Sequence, residues 1–271
     1  MKTKKFIHNN LKKDKIIGRP IRLNRAKLIP NKDNYVELLF FGDLHLGHPE
    51  CDIKKAKGFL DWALKNKSYI IGMGDYIEAG LINSVGDSVY QQELNPQKQM
   101  DEVIELLRPL ADAGLIIGLH EGNHEDRILK TTSINVTKLM CKFLNIPYLG
   151  YSCWNLLKVG KQNYTMYTTH GSSGSKFKHT KLKAIMDILA WIKADIVAMG
   201  HVHSIAAEPV MAQQIDLRSH MVVENKCYAV LTGSYLRWDN TYAQSKNLPI
   251  TKLGSPKAKL RVDYKDVHFT L

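Results

Sequence analysis

The sequence predicts an α/β fold, in which short buried strands alternate with helices. Five apolar runs have the length and the β-branched and aromatic content of buried strands. They are YVELLFFG (35–42), SYIIGMG (68–74), GLIIGLH (114–120), DIVAMG (195–200) and YAVLTGS (228–234). The stretches 50–66, 97–112, 125–144 and 177–193 have the apolar spacing of helices. Strands that alternate with helices are typical of a layered α/β protein.

Three further stretches complete the predicted architecture. NYTMYTTHG (163–171) predicts another strand with a polar end, and the mixed alternation after residue 205 predicts additional antiparallel strands. The polar stretch 80–96 predicts an insertion loop and not a linker between domains. A chain of 271 residues with 44% hydrophobic content can fill one large core. We therefore expect residues 31–271 to form a single domain.

Composition also indicates the compartment. The sequence has no run of 18 apolar residues, and its basic, polar beginning lacks the apolar segment of a signal peptide. Its four cysteines form no C-x-x-C pair, which favours free thiols in a reducing compartment. We expect a soluble, cytoplasmic protein without a membrane span. The oligomeric state is not predicted.

The formal charge of +12 is concentrated at the two ends of the sequence. Residues 1–30 contain ten Lys or Arg and one acid, and residues 245–271 contain six and two. The rest is nearly balanced, with 22 basic and 23 acidic residues. A basic N-terminal arm (1–30) and a basic C-terminal end could hold a nucleic acid through its phosphates. Alternatively, they could serve solubility or form a packing or assembly surface.

Each strand before residue 205 is followed by polar residues beside a glycine. These residues are Asp43 and His45, then Asp75, then Asn123 and His124, then His170, and finally His201 and His203. Strand ends are where α/β folds place their sites, and glycine lets loops approach one another closely. Carboxylate, carboxamide and imidazole, without thiolate, suit Mn, Fe or Zn ions. The pattern predicts a shared metal site.

In order, these motifs read D-x-H, G-D, G-N-H-E, H-G and G-H-x-H, and this series resembles the signature of the calcineurin-like metallophosphoesterases. The resemblance covers residues 36–205 and implies a four-layer αββα sandwich with two mixed β-sheets. It also implies two metal ions. The first would be held by Asp43, His45, Asp75 and His203, and the second by Asp75, Asn123, His170 and His201. Asp75 would bridge the two ions, His124 would be the catalytic histidine, and Glu125 would support the site.

Two divalent ions about 3.5–4 Å apart can share a hydroxide and clamp a phosphoryl oxygen for in-line attack. Mn is our first expectation for the metal, with Fe, Zn, Ni and Mg as alternatives. His124 could donate a proton to the leaving oxygen or stabilise the charge of the transition state.

Differences from related motifs narrow the range of possible substrates. G-D-Y-I-E-A-G (74–80) is similar to the G-D-Y-V-D-R-G of protein serine/threonine phosphatases, but Glu78 and Ala79 stand where those enzymes have Asp and Arg. Glu121 stands where they have a second Arg. Two fixed cations suit a phosphomonoester dianion, so their replacement argues against a protein phosphatase. Arg127 could supply one cation or pair with a nearby acid, and Tyr76 is a candidate for stacking on a substrate base.

The first motif, D-L-H-L-G (43–47), is similar to that of the family's DNA-repair exonucleases. With the basic ends, it favours a phosphodiesterase acting on DNA, as an exonuclease or an endonuclease. One alternative is a phosphoesterase for a small nucleotide or another phosphorylated metabolite. The others are a non-catalytic nucleic-acid-binding scaffold and a protein phosphatase.

Overall fold

A computed structural model describes residues 14–16, 19–82, 84 and 88–271. Its strands are β1 (Asp14–Ile16), β2 (Arg19–Ile21), β3 (Leu23–Leu28), β4 (Tyr35–Phe41), β5 (Tyr69–Gly72), β6 (Ile116–His120), β7 (Tyr148–Gly150), β8 (Ser152–Val159), β9 (Gln162–Thr169), β10 (Ile196–Met199), β11 (Ile205–Asp216), β12 (Met221–Thr232), β13 (Lys257–Arg261) and β14 (Val267–Thr270). Its helices are α1 (Ile53–Asn66), α2 (Ser88–Gln91), α3 (Pro96–Asp112), α4 (Asn123–Thr132), α5 (Val136–Leu144), α6 (Lys178–Trp191) and α7 (Tyr242–Ser245).

The strands form two large mixed sheets and a small β1–β2 pair. The first sheet has the order β14-β13-β4-β5-β6-β7, in which β4 to β7 are parallel and β13 and β14 are antiparallel. The second has the order β11-β12-β10-β9-β8-β3, with antiparallel pairs at β11–β12 and β8–β9. The predicted antiparallel strands after residue 205 are therefore present.

Helices cover the outer face of each sheet. On the first sheet, Phe41 of β4 stacks on Phe59 of α1, and α5 contacts β6 and β7. On the second, Ile185 of α6 belongs to a buried cluster with residues of β10 and β12. Between the sheets, Phe269 of β14 contacts Tyr228 of β12. The predicted four-layer αββα sandwich with two mixed sheets is confirmed. None of the described helices is both long and apolar enough to cross a membrane.

The basic ends differ from the expected arms. Residues 23–28 of the predicted arm (1–30) form β3, which pairs in parallel with β8 in the second sheet. The side chains of Asn24 and Leu28 are buried, and their burial holds this segment on the sheet. The C-terminal basic stretch forms β13 and β14, where the ammonium of Lys257 lies 3.3 Å from the ring centre of Trp62. Residues 1–13, 17 and 18 of the arm lie outside the described residues.

The predicted helical stretch 125–144 is two helices. Ser133 ends α4 with a left-handed backbone (φ 62°), and the side chain of Asn135 caps α5 by accepting a hydrogen bond from the Lys138 N–H at 2.8 Å. Within the predicted insertion 80–96, the described part contains the short helix α2. Residues 83 and 85–87 of it lie outside the described residues.

Candidate metal centre

Five strands from both sheets end at one place in the molecule. β4, β5 and β6 bring polar residues from the first sheet, and β9 and β10 bring them from the second. The seven residues that the sequence predicts as ligands meet there: Asp43, His45, Asp75, Asn123, His170, His201 and His203. They fall into two groups.

The first group contains Asp43, His45 and His203, whose ligand atoms lie within 4.8 Å of one another. The Nε2 atoms of His45 and His203 are 3.1 Å apart, although the two residues come from different sheets. The His203 Nε2 lies 3.4 Å from the Asp43 Oδ1. Two imidazole nitrogens and a carboxylate oxygen therefore converge on one point.

The second group contains Asp75, Asn123, His170 and His201. The Asn123 Oδ1 lies 3.0 Å from the His170 Nε2 and 2.7 Å from the His201 Nδ1. The His170 Nε2 is 3.3 Å from the Asp75 Oδ2, and the other carboxylate oxygen of Asp75 accepts the backbone N–H of His124 at 2.9 Å. Asp75, expected as the bridging ligand, lies with this second group.

Hydrogen bonds at the far side of two rings fix which nitrogen faces the centre. The His170 Nδ1 lies 2.7 Å from the Met73 carbonyl, which can only accept, so Nδ1 carries a proton, and Nε2 presents a lone pair to the centre when the ring is neutral. The His45 Nδ1 lies 3.2 Å from the Glu78 carboxylate, which has the same effect. Metal-binding histidines are typically oriented by such partners.

Charges at the centre influence one another strongly. Burial would lower the pKa of His170, but Asp75 outweighs it and raises that pKa to about 10. Burial would raise the pKa of Asp75, but His170 and His124 hold it well below its usual range. Ionised carboxylates are therefore held close to several imidazoles.

The residues present fit divalent metal ions. The Asp43 Oδ1 is fully buried and has no hydrogen-bond partner in the described part of the chain, an expensive situation for an ionised carboxylate. The mixed imidazole, carboxylate and carboxamide donors are those of Mn, Fe or Zn sites. A cation at Asp43, His45 and His203 would satisfy that oxygen together with the two facing nitrogens.

Glu125 and Gly122 hold the loops together beneath the ligands. The Glu125 carboxylate accepts four backbone N–H groups, from Asp75 (3.1 Å), Tyr76 (2.7 Å), Ile77 (3.2 Å) and Gly122 (2.9 Å). A Cβ on Gly122 would come within 2.1 Å of the Asp75 Oδ1. The predicted supporting position of Glu125 is thus that of an anchor between two ligand loops.

A cluster of Glu78, His124 and Arg127 adjoins the first group of predicted ligands. The Nδ1 of His124 donates to the Glu78 carbonyl at 2.7 Å, and its Nε2 accepts from the Arg127 Nη2 at 3.0 Å. The Arg127 Nη1 also donates to the Glu78 carbonyl at 3.0 Å. Burial lowers the pKa of His124 to about 4, so the ring is neutral near pH 7. Arg127 both pairs with an acid and contacts the predicted catalytic histidine.

Glu78 is the site residue that sequence reasoning missed. Its carboxylate lies between His45 (3.2 Å), His124 (3.4 Å) and Arg127 (3.5 Å). Burial would raise the pKa of Glu78, but the hydrogen bond to His45 and the neighbouring charges lower it to about 2. Its partners lie 33 to 49 positions away in the sequence, so no local pattern indicated this position.

Tyr76 requires a correction. Its side chain is fully buried in the hydrophobic core, so the ring cannot stack on a substrate as expected. Its backbone serves the site: the N–H donates to Glu125 at 2.7 Å, and the carbonyl accepts the Leu46 N–H at 3.0 Å.

The positions that hold arginine in protein phosphatases carry no cation here. Ala79 is fully buried, with its N–H donated to the Gln99 side chain at 2.9 Å. Glu121 accepts hydrogen bonds from Asn135 at 2.7 Å and from the Tyr148 hydroxyl, so its carboxylate is engaged with α5 and β7.

No protein-family model and no curated protein matches the sequence. Among solved structures, the chain is similar to a conserved uncharacterized protein of Streptococcus pneumoniae described as a predicted phosphoesterase (12% identity, 87% of this chain and 88% of that chain, TM-score 0.39). It is also similar to vacuolar protein sorting 29 of Cryptosporidium parvum (13%, 88% and 98%, TM-score 0.41) and to a metallophosphoesterase of Sphaerobacter thermophilus (14%, 86% and 87%, TM-score 0.36). At these values the likenesses do not bear on function. The chain's own coordinates give a two-sheet α/β protein with side-chain groups that could hold metal ions.

Proposed function

We propose that this protein is a dinuclear-metal-dependent phosphodiesterase that cleaves nucleic acid, most simply DNA, as an exonuclease or an endonuclease. The observation that carries the proposal is the pair of adjacent ligand groups, Asp43 with His45 and His203, and Asp75 with His170 and His201. A structural cluster has no need of a buried carboxylate oxygen without a hydrogen-bond partner.

When bound, two divalent cations, Mn in our proposal, would activate water as a nucleophile and polarise the phosphoryl group. The chain's own residues set the geometry. Glu125 holds the loops of Asp75 and Gly122 together through backbone N–H groups, and the Met73 carbonyl fixes the ring of His170. Preorganised ligands of this kind avoid rearrangement during the reaction.

The charges around the centre favour a diester. Arg127 is the cation in contact with the predicted catalytic histidine, whereas Ala79 and Glu121 occupy positions that are cationic in protein phosphatases. A diester carries one negative charge and needs fewer fixed cations than a monoester dianion. This balance supports cleavage of a phosphodiester and opposes a protein phosphatase.

His124 acts, in this proposal, together with Arg127. A ring with a pKa of about 4 is a neutral partner that orients the guanidinium by accepting its N–H at 3.0 Å. Because its Nε2 accepts from Arg127, the neutral ring has no proton at that atom. To donate to the leaving oxygen, Nε2 would first have to take up a proton and release the contact with Arg127.

Nucleic acid is the proposed partner. The basic residues 1–13 would add phosphate contacts, so their removal should weaken polynucleotide binding and flatten its salt dependence. Unchanged binding and an unchanged salt slope would contradict a role for this segment.

The test is hydrolysis by Mn-loaded protein of bis(p-nitrophenyl) phosphate, a diester, and p-nitrophenyl phosphate, a monoester, followed by end-labelled single- and double-stranded DNA. Metal-free protein and Asp75→Asn should be inactive. Asp61→Asn, which alters an exposed acid on α1, is the matched control and should retain activity.

Each outcome separates the alternatives. Metal-dependent cutting of DNA, lost in Asp75→Asn, would establish a nuclease, and the product ladder would distinguish exonuclease from endonuclease. Diester hydrolysis without DNA cutting would favour a small nucleotide or metabolite as substrate. Preference for the monoester would revive the phosphatase alternative, and failure to bind two metal ions would favour a non-catalytic scaffold.

A further inference from the structure

A basic cavity lies beside the candidate metal centre. It has a volume of about 330 Å³, and its walls include Lys176, Lys178, Lys181, Ser204 and Lys252. The rest of the wall is mostly apolar and consists of Ile205, Pro249, Ile250, Thr251 and Leu271, and none of the wall side chains in the part of the chain that the structure describes is acidic. The lysines therefore give the cavity a positive charge that favours an anion.

The cavity shares a loop with the metal ligands. Ser204 follows the ligand His203 directly, and consecutive Cα atoms are about 3.8 Å apart. The ammonium of Lys181 donates to the carbonyl of Val202 at 2.7 Å, between the two ligands of the last motif, and to the Ser204 hydroxyl at 3.2 Å. An anion in this cavity would therefore sit next to the metal centre.

The start of α6 concentrates positive charge at this cavity. The N-terminal end of a helix carries partial positive charge, which acidic residues in the first turn ordinarily offset. In α6 the first turn contains no acid, and Phe177 at the N-cap offers no side-chain hydrogen bond. Lys178 and Lys181 add two cations at the same end. This arrangement favours binding of an anion there.

Lys181 strengthens this argument. Its side chain is only 7% exposed, and the oxygens that it contacts at Val202 and Ser204 are uncharged. A buried ammonium is costly without a negative partner. Lys252 lies outside α6 and donates to a Leu271 oxygen at 3.1 Å, and we do not include it in the anion site.

An exposed aromatic pair stands between these lysines. Phe177 is 61% exposed and stacks on His179, with ring centres 5.5 Å apart and planes inclined by 16°. Basic side chains interleaved with exposed aromatic rings are typical of surfaces that bind single-stranded nucleic acid, where bases stack and phosphates pair with the cations.

We propose that Lys176, Lys178 and Lys181 form a subsite for a substrate phosphate adjacent to the one that is cleaved, and that Phe177 stacks on the neighbouring base. This inference rests on the proposed function, because it places the subsite beside the reacting phosphate. The ligand chemistry is a nucleotide phosphate, supplied either by a polynucleotide or by a small nucleotide.

Equilibrium binding tests the subsite separately from catalysis. The metal-loaded full chain is titrated, by fluorescence anisotropy, into a short fluorescein-labelled single-stranded DNA with phosphorothioate linkages, which keep the charge and resist cleavage. The test variant is Lys176→Gln/Lys178→Gln, in which both lysines are exposed. The matched control, Lys158→Gln/Lys161→Gln, removes the same charge from exposed lysines of β8 and of the β8–β9 turn, at the end of β9 far from His170.

At about 0.7 released counterions per phosphate contact, the test variant should reduce the slope of log K against log salt by about 1.4. This corresponds to binding that is about 25-fold weaker at about 0.1 M salt. Phe177→Ala should weaken binding by about 5- to 100-fold. The control variant should bind as the unaltered chain does. Competition by a mononucleotide and by inorganic phosphate identifies the source of the phosphate.

Equal weakening in the test and control variants would overturn the subsite, because the lysines would then act only through net charge. Weaker mononucleotide binding with unchanged DNA binding would support the subsite and assign it to a small nucleotide. The proposed function fails on a different result, the absence of metal-dependent bis(p-nitrophenyl) phosphate hydrolysis by the unaltered chain. The subsite and the phosphodiesterase function can therefore each be refuted independently of the other.

Discussion

Replacing His120 should change how stability depends on pH. His120 ends β6 and is fully buried between the sheets, where its Nδ1 donates to the Gly150 carbonyl at 2.8 Å and its Nε2 accepts from the Thr168 hydroxyl at 2.6 Å. Burial lowers the pKa of His120 to about 3. The folded protein therefore holds this ring neutral, whereas in the unfolded chain it titrates near about 6.5.

Above about pH 6.5 the ring is neutral in both states, and its contribution to stability is fully present. As the pH falls towards about 3, His120 binds a proton in the unfolded chain but not in the folded chain, so the free energy of unfolding decreases. The loss is about 1.4 kcal/mol per pH unit and reaches about 5 kcal/mol over the window of about 3.5 units.

His120→Asn keeps a donor for the Gly150 carbonyl but cannot titrate. We expect it to lower the free energy of unfolding by about 2 kcal/mol near neutral pH, because the Thr168 hydroxyl loses its close acceptor at 2.6 Å and is left with the Cys153 carbonyl at 3.5 Å. Below about pH 5 the order should reverse, since only the unaltered chain continues to lose stability to this ring. Urea unfolding at several pH values measures both curves. His268→Asn, which alters an exposed histidine of β14, is the control. A stability difference that stays constant with pH would refute the reasoning.

Three further predictions concern the metal centre. Gly122→Ala should reduce the bound metal measured by elemental analysis, because the added Cβ would collide with the Asp75 carboxylate. Gly58→Ala, the control, has open space around the added Cβ and should keep full metal occupancy. Equal metal contents in the two variants would contradict this prediction. Glu125→Gln should lower the free energy of unfolding by about 3 kcal/mol, since an amide NH₂ would face two backbone donors; an unchanged urea midpoint would count against it. His124→Ala and Arg127→Ala should be non-additive in kcat/KM, with a coupling of at least about 1 kcal/mol, because the two side chains are in contact at 3.0 Å; additive losses would show that they act independently.

Local patterns were enough to predict the elements that build the centre. Apolar runs with a polar, glycine-flanked end correspond to β4, β5, β6, β9 and β10, and their polar residues meet as parallel strands require. The signal is strong because each ligand follows its strand directly in the sequence. The layer order was obtained from resemblance to a family and not from the periodicity.

Features that depend on packing were not predictable in this way. The strand β3 looks like a charged arm in sequence, because one of its two buried residues, Asn24, is polar and two of its six residues, Arg25 and Lys27, are basic. Tyr76 resembles a loop aromatic, yet it turns into the core. Glu78 gains its role from His45, His124 and Arg127, which lie 33, 46 and 49 positions away. Partners so distant in sequence leave no local pattern.

The backbone at the centre gives an independent reason to regard these residues as ligands. Asp43, His45, Asp75, His201 and His203 all have φ between +48° and +66°, a left-handed region that side chains other than glycine adopt at a cost of about 1–3 kcal/mol each. A cluster that served only to join two sheets could relax to ordinary turns and gain that energy. The surrounding strands instead hold five strained residues so that their side chains face one another across the sheets. Such strain is expected where the positions of ligand atoms matter more than local stability, and a bound cation would offset part of its cost.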